Sequence, residues 1–205
     1  MNRKKELYLE IQQHLLLDEA PSRYLNEIWD EPIFCDFPFN MIQEMRSTPQ
    51  SPKFHPEGSV WNHTMLVVDE AAKVKHKSKN ATAFLWAALL HDIGKPITTK
   101  NRNGKITSYD HDKVGEKLAT DFLRAFTEDD EFISVVATLV RWHMQILFVV
   151  NGLPFADIAA MKQQTDVNEV ALLGLCDRFG RLHCDRQKEA ENVHLFLKKC
   201  GEATG

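Results

Sequence analysis

Cysteine is sparse in this chain: Cys35, Cys176, Cys184 and Cys200 form neither a CxxC pair nor a dense disulfide spacing. That pattern excludes a disulfide scaffold and points to reduced thiols, hence to the cytoplasm. No apolar run is read as reaching the roughly 18 residues of a membrane span. The N-terminal MNRKKELYLEIQQHLLLDEA interrupts its apolar residues with Glu and Gln, where a signal peptide needs a continuous run. A soluble protein without membrane contact is expected. An excess of one charge sign is also missing: the formal net charge is −4 with signs interspersed. No basic face therefore announces nucleic acid, and RNA is not favoured as a partner. Internal repeats, low-complexity tracts and long charge blocks are absent too, so nothing divides the chain. One domain spanning residues 1–205 is expected, and 43% apolar residues suffice for a core of its own.

What is present is helical periodicity. Apolar residues recur at spacings of three and four, as in Leu7, Ile11 and Leu15, which predicts a predominantly α-helical protein. Helices are expected near 4–17, 22–30, 39–46, 61–76, 80–92, 111–126, 130–146, 155–162 and 167–199, the last too long to run without a break. Residues 1–50 read as additional N-terminal helices packed on the core. The segment PITTKNRNGKITSY breaks the pattern. Its Asn103-Gly104 dipeptide suits the positive φ angles of a tight turn, so one small β-hairpin is expected near residues 97–109. STPQSPKFHPEG, residues 47–58, is expected to be an ordered loop leading to His63.

Histidines and aspartates occupy places that fold energetics disfavour. AFLWAALLHDIGKP is an apolar helix ending in His91 and Asp92, followed by Gly94 and Pro96, residues that stop helices. Consecutive helical residues diverge by about 100°, so the pair can share one ion most easily where the helix unwinds. An isolated His-Asp pair is more often a helix end whose His favours the dipole. Here, however, His63 opens an amphipathic helix, His111 opens another, His143 lies in the apolar ISVVATLVRWHMQ, and Asp177 follows the apolar ALLGLC. Buried imidazoles and carboxylates are costly unless paired or bound to a cation. A metal explains all six at once, and their mixed nitrogen and oxygen donors suit Mn, Fe, Co, Ni or Zn.

The order His63, His91-Asp92, Asp177 resembles the HD superfamily of metal-dependent phosphohydrolases, over residues 55–186. HPEGSVWNHTMLVV, WAALLHDIGKP, SYDHDKVGEKLA, LVRWHM and LLGLCDRFGR are similar, in that order, to the HD domain at the C-terminal end of bacterial CCA-adding tRNA nucleotidyltransferases. Residues 1–50 show no Gly-Ser loop with a paired-aspartate strand, so the nucleotidyltransferase head is expected to be absent, and 3′-end synthesis does not transfer by analogy. The resemblance implies an HD-type helical bundle. It implies His63, His91, Asp92 and Asp177 as ligands of one divalent metal, Mg included among the candidates. It implies His111 and His143 either as ligands of a second ion bridged by Asp92 or as lining of the substrate pocket.

Asp92, Lys95 and His111 are then the expected catalytic groups, with Lys95 facing a phosphate as a point charge. Arg181, four residues after Asp177, can pin that carboxylate or reach phosphate together with Lys95, His111 and His143. Glu57 and His55 are expected to orient a ligand from behind, as metal-bound imidazoles commonly require. Arg141 reads as surface charge, and His14, His76, His183 and His194 as exposed or incidental. Trp61, Trp86 and Trp142 are assigned to core packing. Hydrolysis of a small, nucleotide-derived phosphomonoester or phosphodiester, of nucleotidase or cyclic phosphodiesterase type, is the expected function. Two alternatives stand beside it: a mixed-valence di-iron oxygenase of HD type, and a non-catalytic RNA-binding module.

Overall fold

The computed structural model describes residues 3–201, and the three-to-four periodicity is realised there as a helical bundle carrying one two-stranded sheet. The N-terminal helices are α1 (Arg3–Leu17), α2 (Ser22–Glu27) and α3 (Asn40–Ser47). The centre holds α4 (Val60–Val74), α5 (Ala81–Leu90), the short α6 (Lys95–Thr98), β1 (Thr99–Arg102), β2 (Lys105–Ser108), α7 (His111–Arg124) and α8 (Asp130–Trp142). The chain closes with α9 (Gln145–Val150), α10 (Ile158–Gln164), α11 (Val167–Phe179) and α12 (Arg186–Lys199).

Helix α5 is the axis of the bundle. Its sequence is apolar on every side, the pattern of a helix surrounded by others, and Ala83 through Leu90 are all buried. It packs against α1, α4, α8 and α11. Trp86 and Phe84, both fully buried, each contribute about 1.5–3 kcal/mol of burial energy. Side-chain caps start the helices that frame it: Ser59 for α4, Asn80 for α5, Asp129 for α8 and Asp166 for α11 each accept a first-turn N–H. The N-terminal segment joins the same core, with Tyr8 stacked on Trp86 at 4.8 Å and on Phe126 at 4.6 Å.

The hairpin forms where expected. Its strands pair antiparallel from Thr99↔Ser108 to Arg102↔Lys105, and Asn103 and Gly104 turn the chain at φ 52° and 80°. The long C-terminal pattern breaks between α11 and α12. The stretch read as one helix over 130–146 is instead two: α8 stops at Trp142 and α9 begins at Gln145. Asp130–Val150 is, contrary to the sequence reading, long and apolar enough by composition to cross a membrane, with a mean hydropathy of 1.7. In the fold it is broken at His143–Met144, and Val136, Leu139, Val140 and Ile146 sit in the protein core.

Candidate metal centre

Three imidazoles are oriented by one repeated device. Nδ1–H of His91 donates to the Ala88 carbonyl at 2.9 Å, that of His111 to Ser108 at 2.7 Å, and that of His143 to Val140 at 2.6 Å. Each partner lies three residues back. His91 and His143 are the C-cap residues of α5 and α8, where a helix leaves its last carbonyls without backbone partners. The side chain satisfies one such carbonyl, and the choice of tautomer follows: the proton sits on Nδ1 and the Nε2 lone pair is free.

All three lone pairs converge on Asp92. Its Oδ2 lies 3.2 Å from His91 Nε2, and its Oδ1 lies 3.4 Å from His111 Nε2 and 3.8 Å from His143 Nε2. His111 and His143 face each other Nε2 to Nε2 at 3.2 Å. Burial pushes the His143 pKa down to about 4, aided by the neighbouring imidazoles, and lowers that of His111. Both are therefore neutral near pH 7, and two bare lone pairs confront each other in a buried space. Burial would raise the Asp92 pKa, yet the electrostatic influence of the adjacent His91 ring and the Lys95 ammonium holds it well below the carboxylate range. His91 Nε2 and Asp92 Oδ2 have no properly directed hydrogen bond. Bare imidazole lone pairs around a carboxylate whose Oδ2 meets the Lys95 ammonium only as an ion pair, outside hydrogen-bond geometry, fit a cation.

His63, fully buried in the first turns of α4, extends the cluster. Its Nε2 lies 2.9 Å from Asp177 Oδ1, and its Nδ1 approaches Glu57 Oε1 at 3.0 Å outside hydrogen-bond geometry. Burial opposes a charged His63, but the two carboxylates raise its pKa. Glu57 Oε1 also accepts from His55 Nδ1 at 2.8 Å, with the Glu57 side chain only 2% exposed. Arg181 Nη2 pairs with Asp177 Oδ2 at 3.1 Å, the pinning expected from the four-residue offset. Beside a group formed by His55, Glu57 and His63, two donor sets result among the described residues, each with its ligand atoms within 4.8 Å of one another: His63, His91 and Asp92, and Asp92, His111 and His143. Asp92 belongs to both. Asp177 adjoins the first set through His63.

Residues 60–181, more than half of the chain, match the HD domain family, and the match spans the whole donor set from His63 to Asp177. The chain belongs to this family. HD domains are a superfamily of metal-dependent hydrolases that bind divalent metals. Among curated relatives, the "Multifunctional CCA protein" of Actinobacillus pleuropneumoniae is 34% identical over 101 residues, 48% of this chain and 24% of the relative. The protein of the same name from Methylococcus capsulatus is 26% identical over 185 residues, 90% of this chain and 37% of the relative. The chain thus spans 24% to 37% of these relatives' length.

Around the HD donors the structure places Lys95, which the sequence reading named, and adds a partner for it that the reading missed. Lys95, nearly buried, sets Nζ 2.6 Å from Asp92 Oδ2 and donates to Gln50 Oε1 at 2.6 Å. Gln50 comes from the loop before α4, and no local pattern marks it. Arg141 corrects its reading as surface charge: with a side chain 19% exposed, it donates to buried Asp112 at 2.6 Å and lies over Trp142. It therefore ties α8 to the residue beside His111. Trp61, Trp86 and Trp142 are core residues, as expected. His76, His183 and His194 are exposed, while His14 pairs with Asp18. A cleft of about 760 Å3 opens over Asp92, Lys95, His111, His143, Asp177 and Arg181.

Proposed function

We propose that this HD domain hydrolyses a small, nucleotide-derived phosphomonoester or phosphodiester using one or two divalent cations. The observation that carries the reading is the convergence of three Nε2 lone pairs on one buried carboxylate, each imidazole having spent its only hydrogen on a backbone carbonyl. His63, His91, Asp92 and Asp177 would hold one cation, and His111 and His143 with shared Asp92 a second. When bound, the cation supplies Lewis acidity toward a phosphoryl oxygen and the attacking water.

The chain's own groups do the rest. Lys95 presents a point charge beside Asp92, and Arg181 carries a fork-shaped guanidinium at the same cleft, so both stabilise charge developing on phosphoryl oxygens. His111 Nε2 lies on the cleft wall as a bare lone pair. With one cation held, it is placed to take a proton from the attacking water; with two, it is a ligand. Burial of Asp92 and His143 keeps bulk water from screening these interactions. Cys35, Cys176 and Cys184 are free thiols, which supports residence in the cytoplasm.

The test is elemental analysis of the purified protein, followed by a metal-supplemented screen of phosphomonoesters, cyclic nucleotides and dinucleoside polyphosphates. Metal-dependent phosphate release, lost in His91→Ala and Asp92→Ala, is the expected result. In Lys95→Ala the turnover should fall by roughly 10²-fold, the scale of losing one charge-stabilising donor, with metal content retained. No hydrolysis of any ester with any metal contradicts the reading. Oxygen uptake without phosphate release would indicate the di-iron chemistry instead.

A further inference from the structure

The same cleft has a second, chemically different end. Large apolar side chains are seldom exposed without cause when they cluster, yet Phe54, Tyr109 and Phe155 are 58%, 60% and 61% exposed, and all three line the cleft above the donor cluster. They come from three separate loops: the one before α4, the exit of the hairpin, and the connection after α9. None contributes to the core. Each ring is nevertheless held by a neighbour. Lys53 Nζ lies over Phe54 at 5.3 Å, Arg102 over Tyr109 at 5.2 Å, and Phe148 packs against Phe155 at 5.5 Å. Supported aromatic rings left open toward a cavity are what a planar ligand group requires.

From this arrangement we infer that Phe54, Tyr109 and Phe155 form an aromatic clamp that selects phosphate esters whose alcohol portion carries a planar heteroaromatic ring, and that it sets specificity rather than chemistry. The inference rests on the phosphohydrolase reading for the anionic end and adds the residues that recognise the other. The cleft is polar at its floor, where Lys95 and Arg181 meet an anion, and aromatic at its mouth, so one molecule with a phosphate and a flat ring satisfies both ends. At about 760 Å3, it falls within the range of about 300–1,000 Å3 that encloses such ligands. Arg102, Ser108 and Asp110 also line it. They offer donors and acceptors to the edge of a heterocycle, which an alkyl chain could not use. A phosphate on a bare sugar or an alkyl alcohol leaves the three rings unused.

The variants Tyr109→Ala and Phe155→Ala are well suited to a test, because side chains this exposed contribute little to folding. Two probes are compared on the metal-loaded protein, adenosine 5′-monophosphate and ribose 5-phosphate, with affinity from equilibrium dialysis and KM and kcat from phosphate release. Removing one stacking partner should weaken adenosine monophosphate binding and raise its KM by roughly tenfold or more, leaving kcat and every ribose 5-phosphate parameter unchanged. Tyr109→Phe should restore wild-type affinity, since it keeps the ring. Equal affinity for the two probes in the wild type, or equal losses for both in the variants, overturns the clamp. If neither ester is hydrolysed but ring-dependent binding persists and is lost in the alanine variants, the clamp stands and the hydrolytic reading fails. Tighter binding of an alkyl phosphate such as hexyl phosphate than of adenosine monophosphate also overturns it.

Discussion

Glu57 stands behind His63, one of the imidazoles proposed to coordinate: its Oε1 lies 2.8 Å from His55 Nδ1 and 3.0 Å from His63 Nδ1. A carboxylate behind a ligating imidazole fixes its orientation and raises its basicity. Glu57→Gln should therefore weaken divalent-metal affinity by roughly 10–100-fold, measured by competition with a chelator of known affinity. Unchanged affinity would reduce Glu57 to a loop cap. His63, His91, Asp92, His111, His143 and Asp177 were legible in the sequence because an imidazole or carboxylate on an apolar helical face has few structural excuses. Gln50 and the Asp112–Arg141 pair were not, because their partners lie 45 and 29 residues away and neither departs from ordinary surface composition. The clamp residues were invisible for the opposite reason, since loop aromatics carry no periodicity.

At the level of elements, three of the proposed ligands sit at helix ends. His91 and His143 cap α5 and α8, and His111 is the first residue of α7. The break at His143 escaped the sequence reading because apolar spacing of four and three continues through Val140, Met144, Leu147 and Val150. What marks the break is His143 taking the Val140 carbonyl for its own Nδ1–H, a competition of side chain with backbone that periodicity does not register. The turn after His91-Asp92 is pressed on α7, and a Cβ at Gly94 would stand 2.2 Å from the His111 carbonyl oxygen and 2.8 Å from Gly115 N. Only glycine permits that approach. Gly94→Ala should force α7 away from the turn and cost about 1–3 kcal/mol as overpacking, lowering the melting temperature by several degrees. It should also reduce metal content preferentially at the His111–His143 set. A variant with wild-type stability and full metal content would show that the approach of α7 is not what assembles the site.

Across the whole molecule, the donors come from α4, the α5 end, α7, the α8 end and α11, elements far apart in sequence and joined at one point. A cation there binds the folded chain and not the unfolded one, so it acts as a cross-link through mass action. At a hundredfold excess over Kd this contributes about 2.7 kcal/mol, equivalent to roughly 5–10 °C in melting temperature for a chain of this size. Chelation should produce a drop of that order, reversed by divalent metal and absent in Asp92→Ala. The helical class, the hairpin and the donor order were readable from sequence because each rests on local pattern. The cleft was not, since its walls are assembled from loops that only the packed bundle brings together. The most direct measurement is metal stoichiometry by elemental analysis of wild type, His143→Ala and Asp92→Ala, all grown with metal supplementation. Asp92 shared between both donor sets predicts bound divalent metal in the wild type, retention of the His63–His91 ion in His143→Ala, and none in Asp92→Ala. A metal-free wild type, or an Asp92→Ala variant holding as much metal as the wild type, would contradict the account.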